Sequence, residues 1–293
     1  MVIVIVGPTG VGKTKLSIEL AKKLNGEVIN ADSTQVYKGM NIGTAKVTEE
    51  EKEGIKHYLL DIKNIDEDYT VYDYQKDARK CIKEIESNSK TPIMVGGTGL
   101  YIKASLYNYE FEDEDNINYV DETLSNEELY DMLLKIDRNT TIHKNNRKRI
   151  IRALNYYYAN GHIMENNSDK LLYDALFIGL TTDRDTLYDR INKRVDIMVT
   201  NGLIDEAKRI YDSKIRSKAV MTPICYKELF PYFEGNKTIE ECLDDIKKGS
   251  RRYAKRQYTW NKHQFDVKWF DVDFNNFDNT VNDVLEYIEN VKN

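Results

Sequence analysis

A glycine-rich motif near the start of the chain is typical of loops that bind phosphate. The stretch GPTGVGKT matches the pattern G-x-x-x-x-G-K-[ST] in full. In such a loop small residues let backbone N–H groups face an anion at the start of a helix, the lysine reaches the terminal phosphates, and the last hydroxyl can bind Mg²⁺. The sequence therefore predicts a phosphate site formed by Gly7, Pro8, Thr9, Gly10, Val11, Gly12, Lys13 and Thr14.

The loop alone does not identify the molecule that carries the phosphates. Enzymes that hydrolyse or transfer nucleotide phosphates usually add an acid at a strand end to hold the metal ion, and Asp61 is a candidate for that acid. The chain has neither the Asn-Lys-x-Asp motif that recognises guanine nor an evident lid with an arginine cluster. From the motif alone, the ligand can be any diphosphate or triphosphate.

A second polar segment, DSTQVYKGMNIGTAK, covers Asp32–Lys46. It follows a short apolar run that is typical of a strand, so Asp32 is expected at the same edge of a sheet as the phosphate loop. A carboxylate there is poorly placed to bind an anion, but it is well placed to act as a general base or as an indirect metal ligand. A capping or turn role for Asp32 is the structural alternative.

The first hundred residues alternate between strand and helix patterns. Strands are predicted at Val2–Val6, Glu27–Asn30, His57–Ile62 and Pro92–Val95, and helices at Lys13–Leu24 and Tyr72–Glu86. This alternation predicts an α/β fold with a P-loop-type parallel sheet flanked by helices. Ligands of such sheets bind beyond the carboxyl ends of the strands, where Asp32, Thr98 and the phosphate loop are expected to meet.

The pattern changes after Tyr107. An acidic stretch without strand alternation leads into two predicted helices, Asn126–Lys135 and Asn146–Tyr158, and an apolar run at Ala175–Leu180 is then typical of a returning strand. From Asp183 onward the pattern is mostly helical. We therefore predict a P-loop catalytic core of residues 1–107 and 173–293, with a small helical insertion domain of residues 108–172.

Charge is unevenly distributed along the chain, although the net charge is only −6. Residues 247–262 contain seven lysines or arginines and no acid, whereas residues 104–134 contain ten acids and no base. This separation is compatible with a basic groove on an acidic protein, and equally with two solvated helix faces of opposite sign. Three distant cysteines predict neither a disulfide framework nor a zinc site, and no apolar run is long enough to cross a membrane, so we expect a reduced, cytoplasmic protein.

Six motifs, taken in their order, resemble those of tRNA dimethylallyltransferases of bacterial type, also called isopentenyl transferases. They are GPTGVGKT, DSTQVYKGMNIGTAK, HYLLDI, VGGTGLY, RIIRAL and RRYAKRQYTW, and the resemblance runs from Val4 to about Trp260. It implies transfer of a dimethylallyl group from dimethylallyl diphosphate to the exocyclic N6 amine of the adenosine 3′-adjacent to the tRNA anticodon. The loop would then hold the diphosphate of the donor, together with Mg²⁺, and no nucleoside triphosphate would be consumed.

The resemblance also implies roles for single residues. Lys13 and the loop N–H groups would bind the diphosphate as a leaving group, Thr14 would help to place Mg²⁺, and Arg194 matches an arginine that the family uses on the diphosphate. Asp32 would accept the proton of the adenine amine, and Thr98 would position the reacting groups. The target adenosine, turned out of its stack, would meet Asp32, Ser33, Thr34 and Gln35, with Gln35 as the candidate that holds the base edge.

Basic segments would contact the tRNA anticodon stem-loop, because backbone contacts combined with base stacking hold RNA loops. The predicted contacts are Arg147, Lys148, Arg149 and Arg152 in the insertion, Lys227, and Arg251, Arg252, Lys255, Arg256 and Gln257 near the end of the chain. We expect a monomer with no membrane partner.

The chain departs from the family pattern at several places. Cys225 stands where family members often have glycine, so the backbone geometry there is not predicted, and His143-Lys-Asn-Asn146 replaces the frequent His-Pro-Asn-Asp. The insertion is short, which would reduce its grip on the anticodon stem, and the chain has no C-terminal zinc finger of the eukaryotic kind. Three alternatives stay open: an adenylate prenyltransferase of cytokinin-synthesis type, a small-molecule kinase, and an RNA-binding protein without catalysis.

Overall fold

The structure, a computed structural model, describes residues 1–109, 119–163 and 170–292. Within these residues six strands form one sheet: β1 Val2–Val6, β2 Gly26–Asn30, β3 His57–Tyr58, β4 Thr91–Val95, β5 Ala175–Thr181 and β6 Val267–Asp271. Their order is β3-β2-β4-β1-β5-β6, and every neighbouring pair is parallel. The predicted α/β fold with a parallel sheet is confirmed.

Helices follow most of the strands. They are α1 Lys13–Lys23, α2 Glu49–Lys52, α3 Val71–Ser87, α4 Gly99–Leu106, α5 Asn126–Ile136, α6 Arg147–Asn160, α7 Arg184–Thr200, α8 Leu203–Asp212, α9 Lys218–Met221, α10 Tyr226–Phe233, α11 Ile239–Gln264 and α12 Phe277–Lys292. The longest, α11, begins at a capping box: the Thr238 hydroxyl accepts from the Glu241 N–H, and the Glu241 carboxylate accepts from the Thr238 N–H.

Burial on both faces of the sheet explains the continuous apolar run of β1. Val2, Val4 and Val6 belong to one hydrophobic cluster, whereas Ile3 and Ile5 belong to a second cluster on the opposite face. All five side chains are fully buried, as the alternating directions of a strand between two helix layers require. This burial fixes the position of β1, and therefore of the loop that follows it.

One predicted strand was too long, and one strand was missed. The strand predicted at His57–Ile62 ends at Tyr58, because Leu59 and Asp61 adopt φ values of 62° and 55° and turn the chain away from the sheet. The mostly helical pattern predicted after Asp183 missed β6, which pairs with β5 at the edge of the sheet. An edge strand of five half-exposed residues carries little apolar periodicity, so its sequence pattern is weak.

The chain divides into two compact units, Met1–Tyr107 with Leu171–Asn293, and Asn108–Lys170. The smaller unit has a hydrophobic cluster of its own that includes Leu129, Leu133 and Leu154. The predicted border at residue 172 differs from the observed one because the Leu172 N–H donates to the Leu106 carbonyl of the larger unit. Residues 110–118 of the acidic stretch and residues 164–169 of the predicted insertion lie outside the described residues. None of the helices in the described ranges is both long and apolar enough to cross a membrane.

Candidate active site

The phosphate loop connects the buried strand β1 to the first turn of α1. Its glycines Gly7, Gly10 and Gly12 have φ values of 138°, 84° and 103°, which side chains rarely adopt. These conformations allow successive backbone N–H groups to line a concave surface at the start of the helix. The Lys13 ammonium folds back to donate to the Pro8 carbonyl at 2.9 Å, and Thr14 is exposed.

Two arginines of α7 contact this loop, and the Arg190 guanidinium donates to the Gly10 carbonyl at 3.0 Å. The Arg194 guanidinium on α7 donates to the Thr9 hydroxyl at 2.8 Å, so the structure brings this predicted diphosphate ligand onto the loop. Burial, together with the neighbouring Arg194 charge, lowers the pKa of Lys13 to about 7, although the Asp32 carboxylate opposes both effects. Burial likewise lowers the pKa of Arg194, while Asp32 raises it. A positive pocket with one carboxylate beside it therefore lies at the carboxyl edge of the sheet.

Asp32 follows β2 and has two different carboxylate oxygens. Its Oδ1 accepts from the Thr34 N–H at 3.0 Å and from the Thr34 hydroxyl at 2.7 Å. Its Oδ2 lies next to Gly97, where an added Cβ would be only 3.1 Å from this oxygen. The predicted turn role of Asp32 is therefore real for one oxygen, and the second oxygen faces the turn after β4.

Thr98 joins that turn to the Asp32 segment. Its hydroxyl accepts from the Ser33 N–H at 3.0 Å and donates to the Ser33 hydroxyl at 3.1 Å. The Thr98 N–H donates to the Ala31 carbonyl at 3.0 Å. Three of the predicted site residues, Asp32, Ser33 and Thr98, are therefore held together by direct contacts between the ends of β2 and β4.

Gln35 is placed differently from its predicted role. Its Nε2 donates to the carbonyls of Thr44 and Ala45, at 3.1 and 3.3 Å, within the same segment. The NH₂ group of this amide therefore supports the folded segment, and a contact of Gln35 with a base stays a prediction. The buried Lys46 also holds the segment, because its ammonium donates to the Tyr37 carbonyl and to Asp61.

Glu206 is a supporting residue that sequence reasoning missed. This buried carboxylate on α8 accepts from the backbone N–H groups of Asn41, Ile42 and Gly43, and from the Tyr226 hydroxyl at 2.8 Å. A lone glutamate in a helix of mixed polarity gives no signal for this contact. The only hint in the sequence was the presence of turn-forming residues, Asn41 and Gly43, in the segment whose N–H groups donate to Glu206.

The long helix α11 contributes to the same site through Gln257 and Tyr253. Gln257 is buried, and its amide contacts the Thr9 N–H and the Gly97 carbonyl. The Tyr253 hydroxyl also donates to the Gly97 carbonyl, at 3.2 Å. Gln257 was predicted as a contact for tRNA, whereas the structure directs both ends of its amide at the protein.

The comparisons with known proteins identify the family. Residues 35–264 match the family model described as IPP transferase. The chain belongs to the IPP transferase family. Two tRNA dimethylallyltransferases, from Anoxybacillus flavithermus and Bacillus anthracis, are 49% and 46% identical to it. These matches cover 98% of this chain and 96% and 95% of the two relatives.

Solved structures of IPP transferases have the same fold. The tRNA delta(2)-isopentenylpyrophosphate transferase from Staphylococcus epidermidis is 44% identical, with a TM-score of 0.76 over 99% of this chain and 98% of that one. The tRNA isopentenylpyrophosphate transferase from Bacillus halodurans is 45% identical, with a TM-score of 0.77 over 99% and 95%. A eukaryotic dimethylallyltransferase captured acting on tRNA is 32% identical, with a TM-score of 0.78 over 92% and 73%.

Cys225 has a backbone conformation that suits glycine, the residue that the family resemblance led us to expect there. Its φ is 123°, a region that disfavours any side chain, and its N–H donates to the Glu228 carboxylate at the start of α10. Burial raises the pKa of the Cys225 thiol to about 12, and the Glu228 charge adds to this effect. The thiol is therefore neutral at physiological pH, and a side chain in this conformation stores backbone strain.

The predicted tRNA contacts of the larger unit lie on several surfaces. Arg252, Lys255 and Arg256 are exposed on α11. Arg251 is half-buried, and its guanidinium donates to the Asn192 side chain at 2.6 Å. The Lys227 ammonium donates to the Met221 carbonyl.

In the smaller unit, Arg147 donates to the Asn126 side chain and to the Glu122 carbonyl. Lys148, Arg149 and Arg152 are exposed on α6. Arg147 therefore differs from the exposed cations, because its hydrogen bonds stabilise the smaller unit.

Proposed function

We propose that this chain transfers the dimethylallyl group of dimethylallyl diphosphate to the N6 amine of the adenosine 3′-adjacent to the tRNA anticodon. Its membership of the IPP transferase family and its near full-length tRNA dimethylallyltransferase relatives support this reaction. One observation carries the mechanism: the Asp32 carboxylate faces Gly97, which Gln257 connects to Thr9 of the phosphate loop, where Arg194 also binds. A proton acceptor and an anion site therefore share one pocket.

The donor side consists of the loop N–H groups from Gly10 to Thr14, with Lys13 and Arg194. These groups hold the diphosphate and stabilise the negative charge that it gains as the bond between carbon and oxygen breaks. A guanidinium fixed on Thr9 adds a charge-assisted contact to that anion. The electron pair of the broken bond leaves with the diphosphate, so the loop favours departure of the group.

The acceptor side consists of Asp32, Ser33 and Thr98. The adenine amine attacks the allylic carbon, a bond between nitrogen and carbon forms, and Asp32 takes the proton that the amine loses. Thr34 fixes Oδ1, which leaves Oδ2 as the oxygen that receives the proton. The adenine must leave its stack to reach this carboxylate, and the contact between Thr98 and Ser33 keeps the wall of the acceptor site in place.

Mg²⁺ fits this site as an ion held mainly by the substrate. The described residues contain no group of three His, Cys, Asp or Glu side chains that could hold a metal ion, and Asp61 is paired with Lys46. Mg²⁺ often keeps several waters and takes substrate phosphate oxygens as ligands. The exposed Thr14 hydroxyl would hold it, and the ion would neutralise part of the charge on the leaving group.

The tRNA side of the proposal rests on exposed cations. Arg252, Lys255 and Arg256 on α11 would contact phosphates of the anticodon stem-loop, and Lys148 and Arg149 on α6 would add contacts from the smaller unit. Arg147 and Arg251 contribute less, because their guanidinium groups already donate to protein oxygens.

A transfer assay with radiolabelled dimethylallyl diphosphate tests the function. We expect label to appear in tRNA and not in AMP, with release of diphosphate and without consumption of ATP. Label in AMP in place of tRNA would identify an adenylate prenyltransferase. Release of ADP in step with product would identify a kinase, and no transfer to either acceptor would reject the proposed reaction.

A further inference from the structure

The side chain of Gln257 connects two loops that are far apart in sequence. Its Oε1 accepts from the Thr9 N–H at 2.8 Å, and its Nε2 donates to the Gly97 carbonyl at 3.1 Å. Gln257 is only 5% exposed. A buried amide whose donor and acceptor groups both contact backbone is satisfied within the protein.

The two loops belong to opposite sides of the proposed reaction. Thr9 lies in the phosphate loop and accepts from Arg194, whereas Gly97 precedes Thr98 and faces Asp32. A Cβ added at Gly97 would lie 2.4 Å from the Gln257 Nε2 and 3.1 Å from the Asp32 Oδ2. Gln257 therefore contacts the donor loop with one end and lies beside the acceptor carboxylate with the other.

The sheet alone does not fix the spacing of these loops. The ladder between β1 and β4 ends at the pair Ile5 and Val95, before either loop reaches its contact with Gln257. Beyond that pair, α11 provides the connection through Gln257, and the Tyr253 hydroxyl adds a bond to the Gly97 carbonyl. A side chain that spans both loops can set the distance between a bound diphosphate and the proton acceptor.

We propose that Gln257 is a positioning residue that holds the phosphate loop at its working distance from the turn carrying Gly97 and Thr98. The inference rests on the proposed transfer reaction. Alignment of the reacting groups carries a large part of a rate, and a displacement of about 1 Å can cost roughly 100-fold. Loss of the connection should therefore lower the rate of the chemical step more than it lowers the affinity for either substrate.

The test compares single-turnover transfer rates, at saturating donor and tRNA, for the parent and Gln257→Leu. We expect the rate to fall roughly 10- to 100-fold, while the Kd values of inorganic diphosphate and tRNA change by less than about threefold. Tyr253→Phe removes one of the two bonds to the Gly97 carbonyl and should give a smaller loss. Thr259→Val, an exposed change on the same helix, is the matched control and should leave the rate unchanged.

Gln257→Glu supplies a readout that a purely structural role would not affect. As a carboxylate, Glu accepts from the Thr9 N–H but cannot donate to the Gly97 carbonyl, whereas its protonated form can do both. The rate of Gln257→Glu relative to the parent should therefore rise as the pH is lowered from about 8 to about 6. This comparison also decides the matter if Gln257→Leu fails to fold.

Three outcomes would overturn the inference while leaving the proposed function intact. They are a Gln257→Leu rate within about twofold of the parent, a loss confined to the Kd of diphosphate, or a Gln257→Glu deficit that is independent of pH. Failure of the parent itself to transfer the group would instead reject the proposed function, so the two failures are distinguishable.

Discussion

The two oxygens of Asp32, the proposed proton acceptor, have different surroundings. Thr34 holds Oδ1 with its N–H and its hydroxyl, which fixes the orientation of the group, whereas Oδ2 faces the turn at Gly97. An oriented carboxylate with one free oxygen suits proton transfer, because the acceptor must lie within hydrogen-bond reach of the amine.

Asp32→Asn should remove the proton acceptor with little change of shape. We expect the transfer rate to fall by roughly 10²-fold or more, which is typical for loss of a general base. The Kd of inorganic diphosphate should not weaken, because Asp32 does not bind the anion. Thr34→Val, which removes one bond to Oδ1 and keeps the carboxylate, should lose less. A rate within a few-fold of the parent, or a collapse of tRNA affinity in place of the rate, would assign Asp32 another role.

Cys225 allows a direct test of stored backbone strain. Both Cys225→Gly and Cys225→Ala remove the thiol, but only glycine adopts a φ of 123° without cost. Cys225→Gly should therefore have the larger free energy of unfolding, by about 1 kcal/mol, in urea denaturation. The control pair is Cys242→Gly and Cys242→Ala inside α11, where alanine should be the more stable by about 0.5–1 kcal/mol. The same order at both positions would show that Cys225 is not strained.

Residues with a chemical motif were predictable, and residues that support them were not. The phosphate loop, Asp32 and Thr98 follow from local patterns and from the family resemblance, and the structure brings them to one edge of the sheet. Glu206 and Gln257 act on backbone groups, which have no sequence signature. For Gln257, the neighbouring cations of the helix suggested a contact with RNA. The structure instead places both ends of its amide against protein backbone.

At the level of elements, apolar runs predicted the central strands well, since strands buried on both faces have an unmistakable composition. Patterns failed at the edges, where β3 is only two residues long and β6 is half-exposed. The helix α11 has two different faces: Ala254 and Gln257 are buried, whereas Arg252, Lys255 and Arg256 are exposed. The buried face supports the pocket, and the exposed face is available to RNA.

The exposed face of α11 gives a prediction about salt. Replacing Arg252 and Arg256 together with Ala should weaken tRNA binding and flatten the plot of log affinity against log salt. Each phosphate contact on a single strand contributes about 0.7 to that slope, so two lost contacts should lower it by roughly 1.4. Lys80→Ala with Lys83→Ala, an exposed pair on α3, should not change the slope. An unchanged slope for the α11 variant would exclude this helix from the RNA interface.

The pocket is a product of the whole larger unit. Thr9 contacts Arg194 across 185 residues of sequence and Gln257 across 248. Contacts between residues so far apart leave no local sequence pattern. The sequence therefore indicated which residues carry the chemistry of the pocket more clearly than how the pocket is assembled. Lys13, Arg190 and Arg194 all donate to the phosphate loop, and the Asp32 carboxylate lies beside it, so a bound anion would offset their positive charge.

Anion binding should therefore be linked to the protonation of Lys13. With a pKa of about 7 in the free protein, Lys13 is largely charged below that pH and largely neutral above it. A bound diphosphate favours the ammonium and raises its pKa, so binding above neutral pH must take up a proton, and affinity must fall as the pH rises.

Melting temperatures measured with dimethylallyl diphosphate or inorganic diphosphate test this linkage, because a ligand of the folded state stabilises it in proportion to its affinity. We expect a clear rise in melting temperature at about pH 6.5, a smaller rise at about pH 8.5, and an affinity roughly tenfold weaker at the higher pH. ATP should stabilise less than the prenyl donor at both pH values. Lys13→Arg is the control, since arginine stays charged throughout this range and any remaining pH dependence belongs to the ligand. If the parent and Lys13→Arg respond to pH in the same way, Lys13 carries its proton before the anion arrives, and the lowered pKa has no part in donor binding.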